Sequence, residues 1–410
     1  MRISTTTVFE SGAARLSELQ AGMLKGQQQI ATGRKMLTPA DDPVASARAL
    51  ELTQSRMLNE QYGTNRDNAK ASLSQEEVAL QSVTSLLQDA RTLTVASGSG
   101  ILDDQQRRFY ATELRGRFDD LLALANTRDG TGNFMFAGYQ VTDQPFVKSG
   151  TSVTYNGDQG QRLLQVDSAR QLAMSDSGDA VFMNIPTGNG EFVTAPGTNA
   201  ITGGPNSGSG IVSEGSVVDA SLLTGDSYTV TFTVTAGVST YNVVNTTTGN
   251  PVGALNVPYV SGQSISFDGM QFAITGTPND GDVFTVNPSA NQSVFTTLSN
   301  LISTLEKPAD TAAAKANLAN GLASALTNLD NALDNVLTVR ASVGARLKEI
   351  EALNDIGSDR DLQYAQTLSE LQELDYTKAI SELTQLQMTL TAAQQSFVKI
   401  TDLSLFNFLR

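Results

Sequence analysis

Residues 376–400 read YTKAISELTQLQMTLTAAQQSFVKI, with Tyr376, Ala379, Leu383, Leu386, Leu390, Ala393, Phe397 and Ile400 at alternating steps of three and four. That spacing lays a narrow apolar stripe along a helix, the pattern of a coiled-coil strand. Such a stripe needs a second helix to cover it, and the opposite end of the chain offers one. Phe9, Gly12, Leu16, Leu19, Met23, Gly26 and Ile30 repeat the alternation, which predicts a helix over residues 5–33. Gly12, Gly22 and Gly26 each cost about 1 kcal/mol of helix propensity relative to Ala. This helix is therefore expected to hold only against a partner.

Inward from both ends the helical pattern continues. Residues 38–43 read TPADDP; Asp41 and Asp42 suit a turn, Asp42 can cap free backbone N–H groups, and Pro43 can open a helix without losing a hydrogen bond. A long helix is predicted over 43–96, carrying Ala69, Leu73, Leu80, Val83, Leu87 and Ala90 and stopped by Ser97-Gly98-Ser99-Gly100. A third, over 104–126, carries Leu114, Phe118, Leu121 and Ala125 and ends at Asp129-Gly130. Helix returns with Phe295, Leu298, Ile302 and Leu305, and breaks at Pro308. It is predicted again over 310–356, with Gly357 as a bend or interruption.

Between these helical halves, residues 138–287 change to a period of two, as in YTVTFTV from Tyr228, with Asp268-Gly269 as a hairpin turn. No Lys or Arg occurs between Arg170 and Lys307, and Gly, Ser, Thr and Asn dominate residues 187–210, so the middle reads as an acidic, solvent-exposed insertion, with the glycines of 203–210 as flexible loop. The fold class expected is α+β multidomain: long antiparallel terminal helices form a coiled-coil and helical bundle, and a β-rich domain is inserted in the middle. The expected division is a terminal coiled-coil core (1–42 and 360–410), a helical bundle domain (43–137 and 289–359) and an acidic β-rich outer domain (138–288), the last divisible into 138–185 and 211–288.

Charge and missing residue types exclude several functions. Lys and Arg number 27 against 42 Asp and Glu, a net charge of -15, which repels phosphate backbones and anionic membranes, so no nucleic-acid partner is expected. The chain has no Cys, His or Trp, which removes thiolate nucleophiles, imidazole bases and the usual zinc ligands. Asp41-Asp42, Asp103-Asp104 and Asp119-Asp120 are better capping or solvated residues than metal ligands, since neighbours on a helix point about 100° apart. The glycines of 203–210 lack the Lys-Ser/Thr ending of a phosphate loop. No catalytic residue, metal or cofactor is expected, the start MRISTTTVFE has no secretory apolar run, and no stretch predicts membrane insertion.

Several stretches carry a family resemblance. MRISTTTVFESG at 1–12 and QQQIATGRKMLTPADDPVASARALEL at 27–52 resemble the opening of the hook-filament junction proteins, the third hook-associated proteins of the flagellin superfamily. RASVGARLKEIE at 340–351, the end from residue 373 (ELDYTKAISELTQLQMTLTAAQQSFVKITDLSLFNFLR) and NTRDGTGNFMFAGYQVTDQPF at 126–146 are similar to the same family. Residues 226–288 look like a β module of its longer members. The resemblance implies a non-enzymatic, self-assembling ring of the bacterial flagellum between the first hook-associated protein and flagellin, secreted through the flagellar export channel with a chaperone. The assembly seam expected on that basis is Phe9, Leu16, Leu19, Met23 and Ile30 with Tyr376, Leu383, Leu386, Leu390, Phe397, Ile400, Leu405 and Phe406. Flagellin shares the two-ended coiled coil but usually lacks the proline of Asp41-Asp42-Pro43. A flagellin-like filament subunit and a secreted adhesin with an acidic binding domain stand as the alternatives.

Overall fold

The computed structural model describes residues 5–408, and the side-chain surroundings of 6–400. Three helices open the chain, α1 (Thr5–Thr32), α2 (Pro43–Ser97) and α3 (Asp104–Ala125), and three close it, α4 (Val294–Glu306), α5 (Ala312–Gln372) and α6 (Tyr376–Phe408). The strands lie between α3 and α4: β1 (Phe146–Ser149), β2 (Ser152–Tyr155), β3 (Leu163–Asp167), β4 (Arg170–Ala173), β5 (Ile185–Pro186), β6 (Phe192–Pro196), β7 (Ile211–Val212), β8 (Ser216–Val217), β9 (Tyr228–Thr235), β10 (Val238–Asn245), β11 (Asn250–Pro258), β12 (Ser264–Phe267), β13 (Met270–Thr275), β14 (Val283–Pro288) and β15 (Asn291–Gln292). Helical ends and a β-rich middle follow the two periods read in the sequence.

Two compact units result. One runs from α1 to Arg66 and resumes at Ala352; the other spans Asp67 to Glu351. The sequence-based cuts at 42/43 and 359/360 fall inside the first unit, and those at 137/138 and 288/289 inside the second.

Helix α5 departs from expectation, for it neither stops at 356 nor breaks at Gly357 but runs on to Gln372. The glycine serves an approach from α2. Asn59, 8% exposed, donates from Nδ2 to the Gly357 carbonyl at 2.8 Å, and a Cβ at Gly357 would lie 2.4 Å from Nη2 of Arg66. Intact hydrogen bonds on both sides outweigh the propensity cost of one glycine. Within the second unit α2 and α5 are bridged by Arg340–Glu77 at 2.6 Å and Arg91–Asp330 at 2.5 Å. Asp103 caps α3 reciprocally with Gln106, through bonds of 2.7 and 3.0 Å, so this acidic pair does capping work.

Helices α3 and α4 meet through Phe118 and Phe295, whose ring centroids are 5.7 Å apart, and Phe146 joins Phe295 at 5.5 Å. Beyond the hairpins β1–β2 and β3–β4, an antiparallel sheet of order β11-β10-β9-β14-β6 forms. Tyr228, Val230 and Phe232 alternate inward on β9 and join Phe192, Phe272, Ile274, Phe284 and Val286 in one core. Asp268 and Gly269 both take positive φ, 41° and 77°, as a tight hairpin turn between β12 and β13 requires.

Residues 187–210, of which 203–210 are the expected flexible loop, are built into the fold. Strand β6 lies within them and pairs with β14, so the sheet reaches outside residues 211–288. The rest is pinned by polar groups. Asp282, 0% exposed, accepts from the backbone N–H of Ser207 at 2.8 Å, Gly208 at 2.9 Å and Asn279 at 2.8 Å, and from Asn199 Nδ2 at 2.9 Å. Asn206 exchanges two bonds with the backbone of Val283, at 2.6 and 2.9 Å. Composition cannot reveal such pins, because the residues that make them are the ones that usually mark loops.

Replacing Asp282 by Ala strands several buried donors and should cost at least about 3 kcal/mol of stability in urea unfolding. A cost within 0.5 kcal/mol would show that the pins add nothing.

Candidate functional site

Helices α1 and α6 pack antiparallel along their length. Phe9 and Phe397 have ring centroids 5.1 Å apart. A Cβ on Gly12 would fall 2.8 Å from the Phe397 ring, one on Gly22 would lie 4.0 Å from Leu386 Cδ2, and one on Gly26 3.4 Å from Leu383 Cδ1. The glycines that weaken α1 as a lone helix are thus the hollows that receive the large side chains of α6. At the end of α1, Gly33 takes φ of 68° and would bring a Cβ within 2.8 Å of Tyr376 Oη, so any side chain there meets both backbone strain and a clash.

The expected seam residues are brought together to different degrees. Leu390 is buried at 8% exposure; Leu16, Leu19, Met23, Ile30, Leu383, Leu386 and Phe397 are half-buried. Phe9, Tyr376 and Ile400 remain about half exposed, at 52%, 51% and 52%. The side chains of Leu405 and Phe406 lie outside the described residues.

Main-chain bonds fasten the pair at one end. Lys35 N–H donates to the Gln372 carbonyl at 2.8 Å and Leu374 N–H to the Gly33 carbonyl at 3.0 Å, around an antiparallel bridge of Arg34 with Glu373. Nearby, Asp42 Oδ1 accepts from Ala45 N–H at 3.0 Å, and Pro43 is the first residue of α2. Asp41 ties the turn to α1, accepting from Lys25 Nζ at 2.6 Å and from the amides of Leu37 and Thr38 at 3.0 and 2.9 Å. The Lys25 ammonium, then the Thr38 and Leu37 amides, hold the Asp41 carboxyl well below the usual carboxylate range.

Apolar surface beyond the expected seam also lies open. Val44, Leu50 and Met57 on α2 are 79%, 71% and 57% exposed, and Ile380 and Met388 on α6 are 52% and 64%. A groove of about 610 Å³ lies beside the α2 stripe, lined by Met36, Leu37, Pro39, Pro43, Leu50 and Thr53 among others. The step of seven from Leu50 to Met57, one face of a helix, was the sequence signal for this surface. So was the lack of charge on α6 between Glu382 and Lys399. The chemistry of these faces is that of helix-to-helix burial.

Comparison with known proteins gives a consistent picture. The family described as bacterial flagellin N-terminal helical region matches residues 3–141. The chain is similar to flagellar hook-associated protein 3 of Escherichia coli (strain K12), 28% identical over 407 residues and covering 99% of both chains, and to its namesake in Salmonella typhimurium, 27% identical over 411 residues and 100% of both. Among solved structures, flagellar hook associated protein-3 from Legionella pneumophila is 32% identical with a TM-score of 0.74, covering 78% of this chain and 98% of that one. FlgL from Xanthomonas campestris is 30% identical with a TM-score of 0.70, covering 78% and 99%.

Gly12→Val should disrupt the α1–α6 pair, read as lost helicity and faster proteolysis of both chain ends. Gly116→Ala, where a Cβ meets nothing within 4 Å, should stabilise α3 by about 1 kcal/mol. Because its carboxyl is lowered, the Asp41 contribution is complete above the ordinary Asp range and is lost as pH falls below it. The protection of the Leu37 and Thr38 amides, taken relative to their intrinsic exchange rates, should fall on acidification below the ordinary Asp range, and Asp41→Asn should remove that dependence.

Proposed function

Because the chain belongs to the flagellar hook-associated protein 3 family, we propose that it forms the adaptor ring at the hook-filament junction, between the first hook-associated protein and flagellin. Its relatives are structural components of the flagellum, one described as the flagellar junction protein from Legionella pneumophila. The work proposed for this chain is likewise mechanical, a joint between two tubes without chemistry.

One observation carries the reading. Helices α1 and α6 pack closely, yet among the described seam residues the pair buries only Leu390 fully, and Val44, Leu50, Met57, Ile380 and Met388 stay uncovered. Surface of this kind marks an interface to be covered by other protein, and helical stripes are covered best by helices of neighbouring copies and of the two adjoining proteins. We assign the seam and these stripes to the three partners together.

Secretion to that location requires passage through the flagellar export channel as an unfolded chain, escorted by a chaperone. The absence of Cys leaves no disulfide to resist unfolding, and glycines in α1 lower the stability of the helix outside its complex.

Leu390→Asp places a charge in a buried position of the seam, at a cost of about 3 kcal/mol or more. In cells whose only copy carries it, filaments should fail to stay attached to hooks, while Val260→Asp, at a site 59% exposed, should leave swimming intact. Normal filaments with Leu390→Asp would overturn the assignment of the seam.

A further inference from the structure

Where α2 and α5 meet the chain leaving β4, a group of charged side chains is shut away from solvent. Glu76 on α2 is 2% exposed and Asp176 6%. Arg346 on α5 binds the Asp176 carboxylate through Nη2 and donates from Nη1 to the Ala173 carbonyl at 3.0 Å. Gln161 Nε2 donates to Asp176 Oδ1 at 2.9 Å, and Ser72 Oγ to the Met174 carbonyl at 2.9 Å. The Asp176 amide donates to Glu76 Oε1 at 2.9 Å. Residues 173–176 are thereby held by both helices, mainly through their own backbone.

Two guanidinium groups face two carboxylates here, but neither is hydrogen-bonded to Glu76. Glu76 Oε2 has no hydrogen-bond partner among the described residues. The guanidinium of Arg346 is engaged by Asp176, and Arg162, the other cation facing the group, directs Nε to Ser175 Oγ at 3.4 Å. An ionised Glu76 would set a second carboxylate charge beside Asp176 in a closed space, with one oxygen unsatisfied, a costly arrangement. Protonation removes the second charge, and Glu76 Oε1 still accepts from the Asp176 amide.

We propose that Glu76, Asp176 and Arg346 form a proton-operated latch. With a proton on Glu76 the segment 173–178 is held against α2 and α5; when that proton passes to solvent the segment is released. The segment leads from the β3–β4 hairpin to the remaining strands, so the latch governs how firmly the β-rich insertion is seated on the helices that carry it.

Burial, and then the charge of Asp176, push the Glu76 carboxyl up to about 8, against the opposing pull of the Asp176 amide, Arg346 and Arg162. A carboxyl raised on folding contributes stability that is complete below its ordinary range and is lost as pH rises towards the folded value. Local opening then releases one proton, and its equilibrium should rise about tenfold per pH unit between roughly pH 5 and 8.

Hydrogen exchange of the full-length protein, read by mass spectrometry on peptides covering 173–178, tests this directly. Hydroxide catalysis alone gives about tenfold per pH unit; the latch should raise that to about a hundredfold in the wild type. In Glu76→Gln the slope should return to about tenfold, as should peptides from β9 in either protein. Equal slopes in wild type and Glu76→Gln would overturn the proposal. Should that variant fail to fold, the carboxyl carbon resonance of Glu76 in the wild type decides: a midpoint near 8 supports the latch, and one in the ordinary carboxylate range removes it.

Discussion

Helix α1 has almost no side-chain bulk at Gly12, Gly22 and Gly26, and α6 presents Phe397, Leu386 and Leu383 to those places. Neither helix is well made alone. The first pays a propensity cost at each glycine, and the second carries a stripe that water would otherwise meet. Their union sets an antiparallel register, because large side chains fit only over the hollows. That register brings Gly33 under Tyr376 and allows Lys35 and Leu374 to exchange main-chain bonds with Gln372 and Gly33. The Asp41 turn is then built onto α1 through Lys25, and α2 begins from it. The ends of the chain are thus organised from a contact between residues nearly its whole length apart.

Most of this architecture was legible in the amino-acid order, because periodicity reports which face of a helix or strand is buried. The three-four alternations at the two ends, the period of two on β9 and the Asp42-Pro43 helix start each carry a local signal that the fold keeps. The failures have a common physical origin. At Gly357 and at 203–210 the deciding partner comes from elsewhere in the sequence: Asn59 and Arg66 for the glycine, Asp282 for the apparent loop. Local composition says glycine breaks and Asn-rich segments wander; a distant hydrogen-bonding group reverses both. The pairing of α1 with α6 was visible for the same reason as the helices, whereas Val44, Leu50 and Met57 stood within a longer helix whose other face also reads as apolar.

Charge follows a similar division of labour. On the helices, acids find guanidinium partners, as in Arg91–Asp330, Arg340–Glu77 and Arg56–Asp361. Inside the base-free stretch Asp176 still reaches Arg346 of α5, but other acids are satisfied by amides instead. Asp282 takes three backbone N–H groups and a side-chain amide, and Asp219 takes the Ser221 amide and hydroxyl. Amide donors cannot move in solution as long basic side chains do, so each acid fixes a turn rather than decorating a surface. The acidity of this region is in part a building material.

The exchange of bulk between α1 and α6 also bears on how such a sequence can drift over generations. Every replacement at Gly12 adds atoms, and nearly every replacement at Phe397 removes them, so the two positions tolerate change in opposite directions. A larger residue on α1 becomes acceptable only after a smaller one has arisen across the seam, and the order of events matters because the reverse path first opens a clash. The hollows therefore couple the inheritance of the two ends of the chain, which lie together in the folded helix pair although most of the sequence separates them.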